Sequence, residues 1–253
     1  MKKLLLIALV AAMATACQKV ATEQAVGTGI LHITPSVAND VNEVKSSTES
    51  NASGKTVAVP ALSEFSLTIK GSDYDRTWTS LTDYSADDER LTAGIYDVTI
   101  KYGNIEEEGY DKPYFYATKS VQVLDRNRTT EAELTATVGN AIVEIAMTPE
   151  FKGYFVKHEF KLKTAYTAEP FMLEENPAKD LFVAPQSVTL ECACTRQNGK
   201  EEVLTPQTFE VKARTRHIVK YDLEKAGNIK VNITLDETLI GSEVIDVELN
   251  ENA

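Results

Sequence analysis

Apolar residues recur at every second position through most of this chain, and nowhere do they keep a helical spacing. Phe65, Leu67 and Ile69 alternate with Ser66, Thr68 and Lys70, and Tyr96, Val98, Ile100 and Tyr102 with Asp97, Thr99 and Lys101. Val121-Gln122-Val123 and the run Ala132, Leu134, Ala136, Val138 follow. A second series opens at Val143, Ile145 and Met147 and continues through Phe160 and Leu162, Val188 to Cys194, Phe209 to Ala213, and Val219 to Leu223. It ends with Ile229 to Leu235 and with Ile245, Val247 and Leu249. A period of two gives each strand one buried and one wet face, which belongs to antiparallel sheets. The fold class is all-β, with sandwiches favoured over a barrel. The two series meet at Val138-Gly139-Asn140 without a flexible linker, which predicts two tandem antiparallel β-sandwich domains, 29–138 and 139–253, that abut. The halves share no convincing sequence repeat.

Local signals refine this outline. Leu91-Thr92-Ala93-Gly94-Ile95-Tyr96 has the order of a tyrosine corner, in which a phenol at a strand start bonds a nearby backbone group of an immunoglobulin/transthyretin-like sandwich. A strand that merely opens with Tyr is the plainer reading. Thr148-Pro149-Glu150-Phe151 reads as one helical turn with Thr as N-cap and Pro at N1, and Asp222 to Ala226 as a second short helix. Ile30 to Ile33 is a short strand ended by Pro35. Residues 39–54, rich in Ser, Thr, Asn and Glu, read as a mobile loop or a disordered insertion. The closing strand, Glu243 to Leu249, can pair at home or be donated to a neighbour's sheet edge.

The amino terminus says where such a chain works. Met1-Lys2-Lys3 is basic, Leu4 to Met13 is almost unbroken apolar residues, and Ala14-Thr15-Ala16-Cys17 closes with small residues. This is the order of a secretory signal, too short to span a bilayer. The Cys after small residues resembles the bacterial lipoprotein box, which implies cleavage after residue 16 and acylation of Cys17. Residues 1–16 are then a signal peptide and 17–28 a lipidated flexible tether. Two or more acyl chains anchor stably, each buried CH₂ contributing about 0.8 kcal/mol. Losing Lys2 and Lys3 takes the formal charge from −12 to −14. A surface that acidic repels phosphate backbones and excludes nucleic acid as a partner. The lipid anchor is then the contact with the membrane.

Residues able to carry chemistry are few. Cys192 and Cys194 would lie on one strand face with Cβ atoms about 6–7 Å apart, whereas a disulfide wants about 3.8 Å. A bond between them would need a bulge, so two small buried hydrophobes is the simpler reading. A zinc site with His217 rests on weak spacing. His32, His158 and His217 belong to no nucleophile elbow or H-E-x-x-H pattern. The acid runs Asp87-Asp88-Glu89 and Glu106-Glu107-Glu108 read as solvated turns, and Asp73-Tyr74-Asp75 is a poor approach to a calcium loop. No cofactor or metal is implied, and nothing favours a glycosidase over a non-enzyme. Tyr74, Trp78 and Tyr84 lie in the polar segment 71–90 and form a candidate ligand-binding platform. The alternative is that the segment folds over the sandwich and buries Trp78 as a core plug.

Four stretches resemble one group of Bacteroidales-type lipoproteins, a family of unknown function. They are Gly29-Ile30-Leu31-His32-Ile33, Leu91 to Tyr96 running on to Tyr102-Gly103, Pro113-Tyr114-Phe115-Tyr116, and Gly139-Asn140-Ala141 through Phe151 to Tyr154-Phe155. The resemblance implies tandem sandwiches on an outer-membrane lipid anchor, with kinship to fimbrillin-like subunits, and it transfers no catalytic residues. Only Glu23 represents the acidic cluster expected after Cys17 for surface export, so the leaflet it faces stays open. The expectation is a non-enzymatic envelope lipoprotein that contacts envelope proteins or glycans, as an adhesive or fimbria-related accessory module. A glycan binder using the loop aromatics is the rival.

Overall fold

A computed structural model describes residues 27–43, 56–226, 228–235 and 238–245. The first half of the chain forms β1 (Thr28–Ala38), β2 (Asn42–Glu43), β3 (Ser66–Lys70), β4 (Asp75–Trp78) and β5 (Arg90–Thr92), then β6 (Gly94–Tyr102), β7 (Gly109–Tyr110), β8 (Phe115–Val123) and β9 (Thr129–Val138). The second forms β10 (Ala141–Met147), the short helix α1 (Pro149–Tyr154), β11 (Phe155–Lys163), β12 (Phe171–Leu173) and β13 (Leu181–Val183). It continues with β14 (Ser187–Arg196), β15 (Glu201–Glu210), β16 (Thr215–Ala226), β17 (Asn228–Leu235) and β18 (Thr238–Ile245).

The two halves repeat one topology. In the first, strands pair in the order β4-β3-β6-β8 and β9-β1-β5. In the second, the order is β12-β11-β14-β15 and β16-β10-β13. Reading each half in chain order, with β2 and β7 set aside, the seven strands of the first half match the first seven of the second with the same neighbours and directions, save that β8 also pairs with β9 whereas their counterparts β15 and β16 do not pair. The correspondence includes a parallel pair between first and last strands, β1 with β9 and β10 with β16. These parallel pairs depart from the purely antiparallel expectation. A first strand that joins the last one closes the sandwich, and such a long-range partner leaves no trace in local alternation. In the first half the path of seven strands stays continuous and turns over at β8–β9, where the ladder shrinks to Phe115↔Val138 and Tyr116↔Thr137. Leu31, Leu67, Val98, Ile100 and Leu134 from both sides of that turn share one core. In the second half the two sheets face each other across Phe160, Leu190, Val143, Val219 and Tyr221. The β17–β18 pair extends that half beyond the shared pattern.

The halves are tied as well as adjacent. Strand β7 leaves the first half to pair with β13, and β2 pairs in parallel with β16. Ile142 and Phe182 belong to second-half strands yet bury their side chains in the first core. Asn140 is completely buried at the junction, its Oδ1 accepting the Tyr114 N–H.

Several local expectations hold. The Tyr96 hydroxyl donates to the Thr92 carbonyl at 2.8 Å, the corner bond. Thr148 caps α1, its hydroxyl accepting the Phe151 N–H at 3.3 Å. Others are corrected. Asp222–Ala226 is not a helix but the end of β16, because pairing with β17 supplies its backbone partners. Pro35 does not stop β1, which runs to Ala38; β5 covers β1 only at Thr28–Ile30, so Pro35 sits where the strand is an edge. In segment 39–54, the Asn39 side chain donates to the Val57 carbonyl at 2.8 Å and Asp40 bridges Thr56. Residues 44–54 of that loop lie outside the described residues, as do residues 1–26, on which the expectations of a signal peptide and an acylated Cys17 fall. Of the closing strand, the described part is paired at home with β17, and residues 246–249 lie outside.

Candidate functional site

The aromatic candidates of segment 71–90 form a packed plug. Trp78 ends β4 opposite Leu67 and is 7% exposed. Its ring meets Tyr84 edge-on at 5.1 Å, and the Arg76 guanidinium lies over it at 4.8 Å. The Tyr84 hydroxyl donates to the Leu31 carbonyl at 2.5 Å, and that of Tyr74 to Glu89 at 2.9 Å. Burial first, then the Glu89 bond, push the Tyr74 phenol up to about 12, so it stays a donor. The burial of Trp78 is what the core-plug alternative expects, since β4 pairs with β3 and turns the indole inward, while Tyr74 and Tyr84 remain half-buried.

His32 lies at the surface beside Glu131, Nδ1 to Oε2 2.6 Å, and the His158 ring packs against Phe160. His217 is buried, and its Nε2 accepts the Lys212 N–H at 3.0 Å, which places the neutral ring's proton on Nδ1. Burial, and then the Lys212 charge, hold this imidazole below its ordinary 6.5. A folded value below the unfolded one means the unfolded chain takes up the proton first. Stability is then full above about pH 6.5 and falls as the pH drops from there towards the lowered folded value. Urea midpoints should decline over that range, and a His217→Gln variant should decline less. Equal slopes would contradict this. Among the described residues no cluster of three or more His, Cys, Asp or Glu side chains is placed to hold a metal.

The concave feature of interest lies where the two halves meet. A groove of about 380 Å³ is lined by Tyr102, Pro113 and Phe182 with Glu64, Asp111 and Asp180. A second hollow of about 300 Å³ adjoins it, sharing Glu64, Tyr102, Asp111 and Pro113 and adding Asn104 and Glu107. The Tyr102 ring is backed by Phe65 at 5.7 Å and Phe115 at 6.4 Å. Gly103 turns the chain out of β6 at φ +74, where a Cβ would meet the Pro113 carbonyl oxygen at 2.6 Å. Asp111 sits at φ 56 in the left-handed region that Asp tolerates. Its N–H donates to the Asp180 carbonyl at 3.1 Å and its carboxylate pairs with Lys179.

A buried ion-pair cluster and a buried carboxylate hold these walls. Arg216 on β16, 1% exposed, grips Asp180 through two N–H···O bonds of 2.9 Å and also pairs with Glu144 on β10. Glu108, one residue before β7, crosses into the second half. Its Oε1 accepts the Ala184 N–H at 2.8 Å and the Gln186 amide, while Oε2 accepts the Thr164 hydroxyl. Glu108 corrects the reading of 106–108 as a solvated turn: it is 5% exposed because second-half donors surround it. Sequence reasoning missed Arg216, Asp180, Asp111 and Glu108, whose partners are remote in the chain. Tyr102-Gly103 and Pro113 stood among the quoted family stretches without a role attached.

Fold and groove together define an all-β chain whose two halves repeat a strand order and meet at a polar, aromatic-floored junction. The chain belongs to the family described as "Domain of unknown function (DUF4493)", whose profile matches residues 27–251. Among solved structures, it is similar to a candidate cell adhesion protein from Bacteroides eggerthii, with TM-score 0.43 and 8% identity over 84% of this chain and 97% of that one. It is also similar to a candidate adhesin from Bacteroides ovatus, with TM-score 0.40 and 7% identity over 88% and 96%. A candidate polysaccharide-binding protein from Bacteroides thetaiotaomicron matches with TM-score 0.38 and 7% identity over 87% and 99%. No curated protein sequence matches this chain. Among the described residues no helix is long and apolar enough to cross a membrane.

Proposed function

We propose that this chain is a non-catalytic contact module of the bacterial envelope, moored by a lipid on Cys17, whose junction groove takes a neutral glycan. The groove carries the reading. A backed tyrosine offers an apolar face to sugar C–H groups, and Asp111, Asp180, Asn104 and Lys179 offer acceptors and donors to hydroxyls. The formal charge of −12 and the excess of acids in the groove disfavour an anionic polymer. Residues 29–138 and 139–253 serve as two sandwiches that hold the groove walls. Pairing of β1 with β5 and β9, and of β18 with β17, favours a solitary binder over a strand-donating fibre subunit.

Titration of the protein with neutral oligosaccharides found on a glycan array tests this. Tyr102→Ala and Asp111→Ala should each weaken binding at least about tenfold, or about 1.4 kcal/mol. Val203→Asp, at a position 75% exposed on β15, should leave it unchanged. Binding that ignores both groove variants, or no binding to any glycan, would contradict the proposal.

A further inference from the structure

The strongest unassigned pair of reactive groups lies in the second core. Cys192 and Cys194 project from the inner face of β14, 2% and 3% exposed. The β11–β14 ladder is regular there, from Thr189 to Cys194. On the other side of β14 the register slips between Leu190 and Cys192, because β15 carries one extra residue at Thr205-Pro206. An ideal strand would hold the two Cβ atoms about 6–7 Å apart, yet the sulfurs approach to 3.3 Å. The thiols have turned towards each other, and a bond of about 2.05 Å with Cβ atoms about 3.8 Å apart requires β14 to draw in between them, at the place where its register with β15 slips. Tyr221, fully buried on the facing sheet, has a hydroxyl with no hydrogen-bond partner. Its phenol is pushed up by burial and then by the two neighbouring sulfurs, so it faces the pair as a neutral O–H.

We propose that Cys192 and Cys194 close into a disulfide within strand β14 when the chain folds in an oxidising compartment. The oxidant is a small or protein disulfide. One cysteine thiolate attacks it, forming a mixed disulfide and releasing the oxidant's other sulfur as a thiolate. The second cysteine then attacks the mixed disulfide through its protein-bound sulfur and expels the remaining oxidant sulfur. Two electrons pass from the cysteines to the oxidant, and the two protons they lose end on its thiols. Because thiolates are disfavoured in an apolar core, the exchange takes place before β14 is covered. A ring closed by neighbouring positions on one strand is strained, which places it among readily reduced disulfides. The compartment rests on the envelope reading; the closure itself rests on the geometry.

The tryptic peptide Asp180–Arg196 contains both cysteines and no internal Lys or Arg. The reduced full chain would be refolded in oxidised and reduced glutathione, denatured, blocked with N-ethylmaleimide, digested and weighed. The peptide should be unlabelled and two hydrogens lighter than the dithiol form, taking two labels after reduction. Cys192→Ala should instead leave Cys194 taking one label or carrying glutathione. A doubly labelled wild-type peptide without reductant, or one joined to glutathione or to a second chain, would overturn the proposal. The same peptide taken from cells separates the two readings: closed in vitro but dithiol in cells counts against the oxidising location and not against closure.

Discussion

Replacing Arg216 with Ala should lower the stability of the protein by about 3–5 kcal/mol, the range for removing one member of a buried ionic cluster. Arg216 is 1% exposed and joins two carboxylates that are themselves largely covered, Glu144 at 11% and Asp180 at 26%. Without the guanidinium, those acids face each other across a site too closed for water to compensate fully. Arg216→Lys should recover only part of the loss, since an ammonium cannot make the bidentate contact with Asp180. Replacing all three residues by apolar ones of similar volume should restore most of the stability. That triple variant should nevertheless fail to bind glycan, because Asp180 is a wall of the groove. Urea unfolding and the sugar titration, run on the same variants, check both halves of this expectation. A loss below about 1 kcal/mol in Arg216→Ala would contradict the placement of the cluster.

Trp78→Ala should cost about 3–5 kcal/mol, as for other buried Trp truncations, and leave glycan affinity unchanged. The ring fills the first core between Leu67 and Tyr84, so its removal opens a cavity under the 71–90 segment. Trp78→Phe should recover a large part. The opposite pattern, intact stability with lost binding, would return Trp78 to the platform role that its loop-like setting suggested.

Trp78, for which the sequence left both platform and core plug open, illustrates what the sequence made legible. Alternation identified the strands and their buried faces because each strand meets water on one side and a core on the other. The Thr148 cap and the Tyr96 corner were readable because their partners are three and four residues away. The repeated topology was not readable, since any alternating sequence satisfies the same strand position. Trp78 looked like a loop residue because β4 is only four residues long and three of them are exposed. Asp222 to Ala226 read as a short helix, yet Tyr221 and Leu223 continue the period of two, and the tertiary partner β17 decided between them. Arg216 is the hardest case. Its partners lie 72 and 36 residues away, so a buried charge looked like any exposed one. The groove inherits that difficulty, being built from the turn after β6, the approach to β8 and the residues before β13.

Amide hydrogen exchange of the full chain, with and without a neutral glycan that it binds, tests the central claim most directly. Added protection should fall on residues 57–64, 102–113 and 178–182, the two halves together, and leave the exposed face around Val156 and Val203 unaltered. Protection confined to one half, or centred on that far face, would contradict the account.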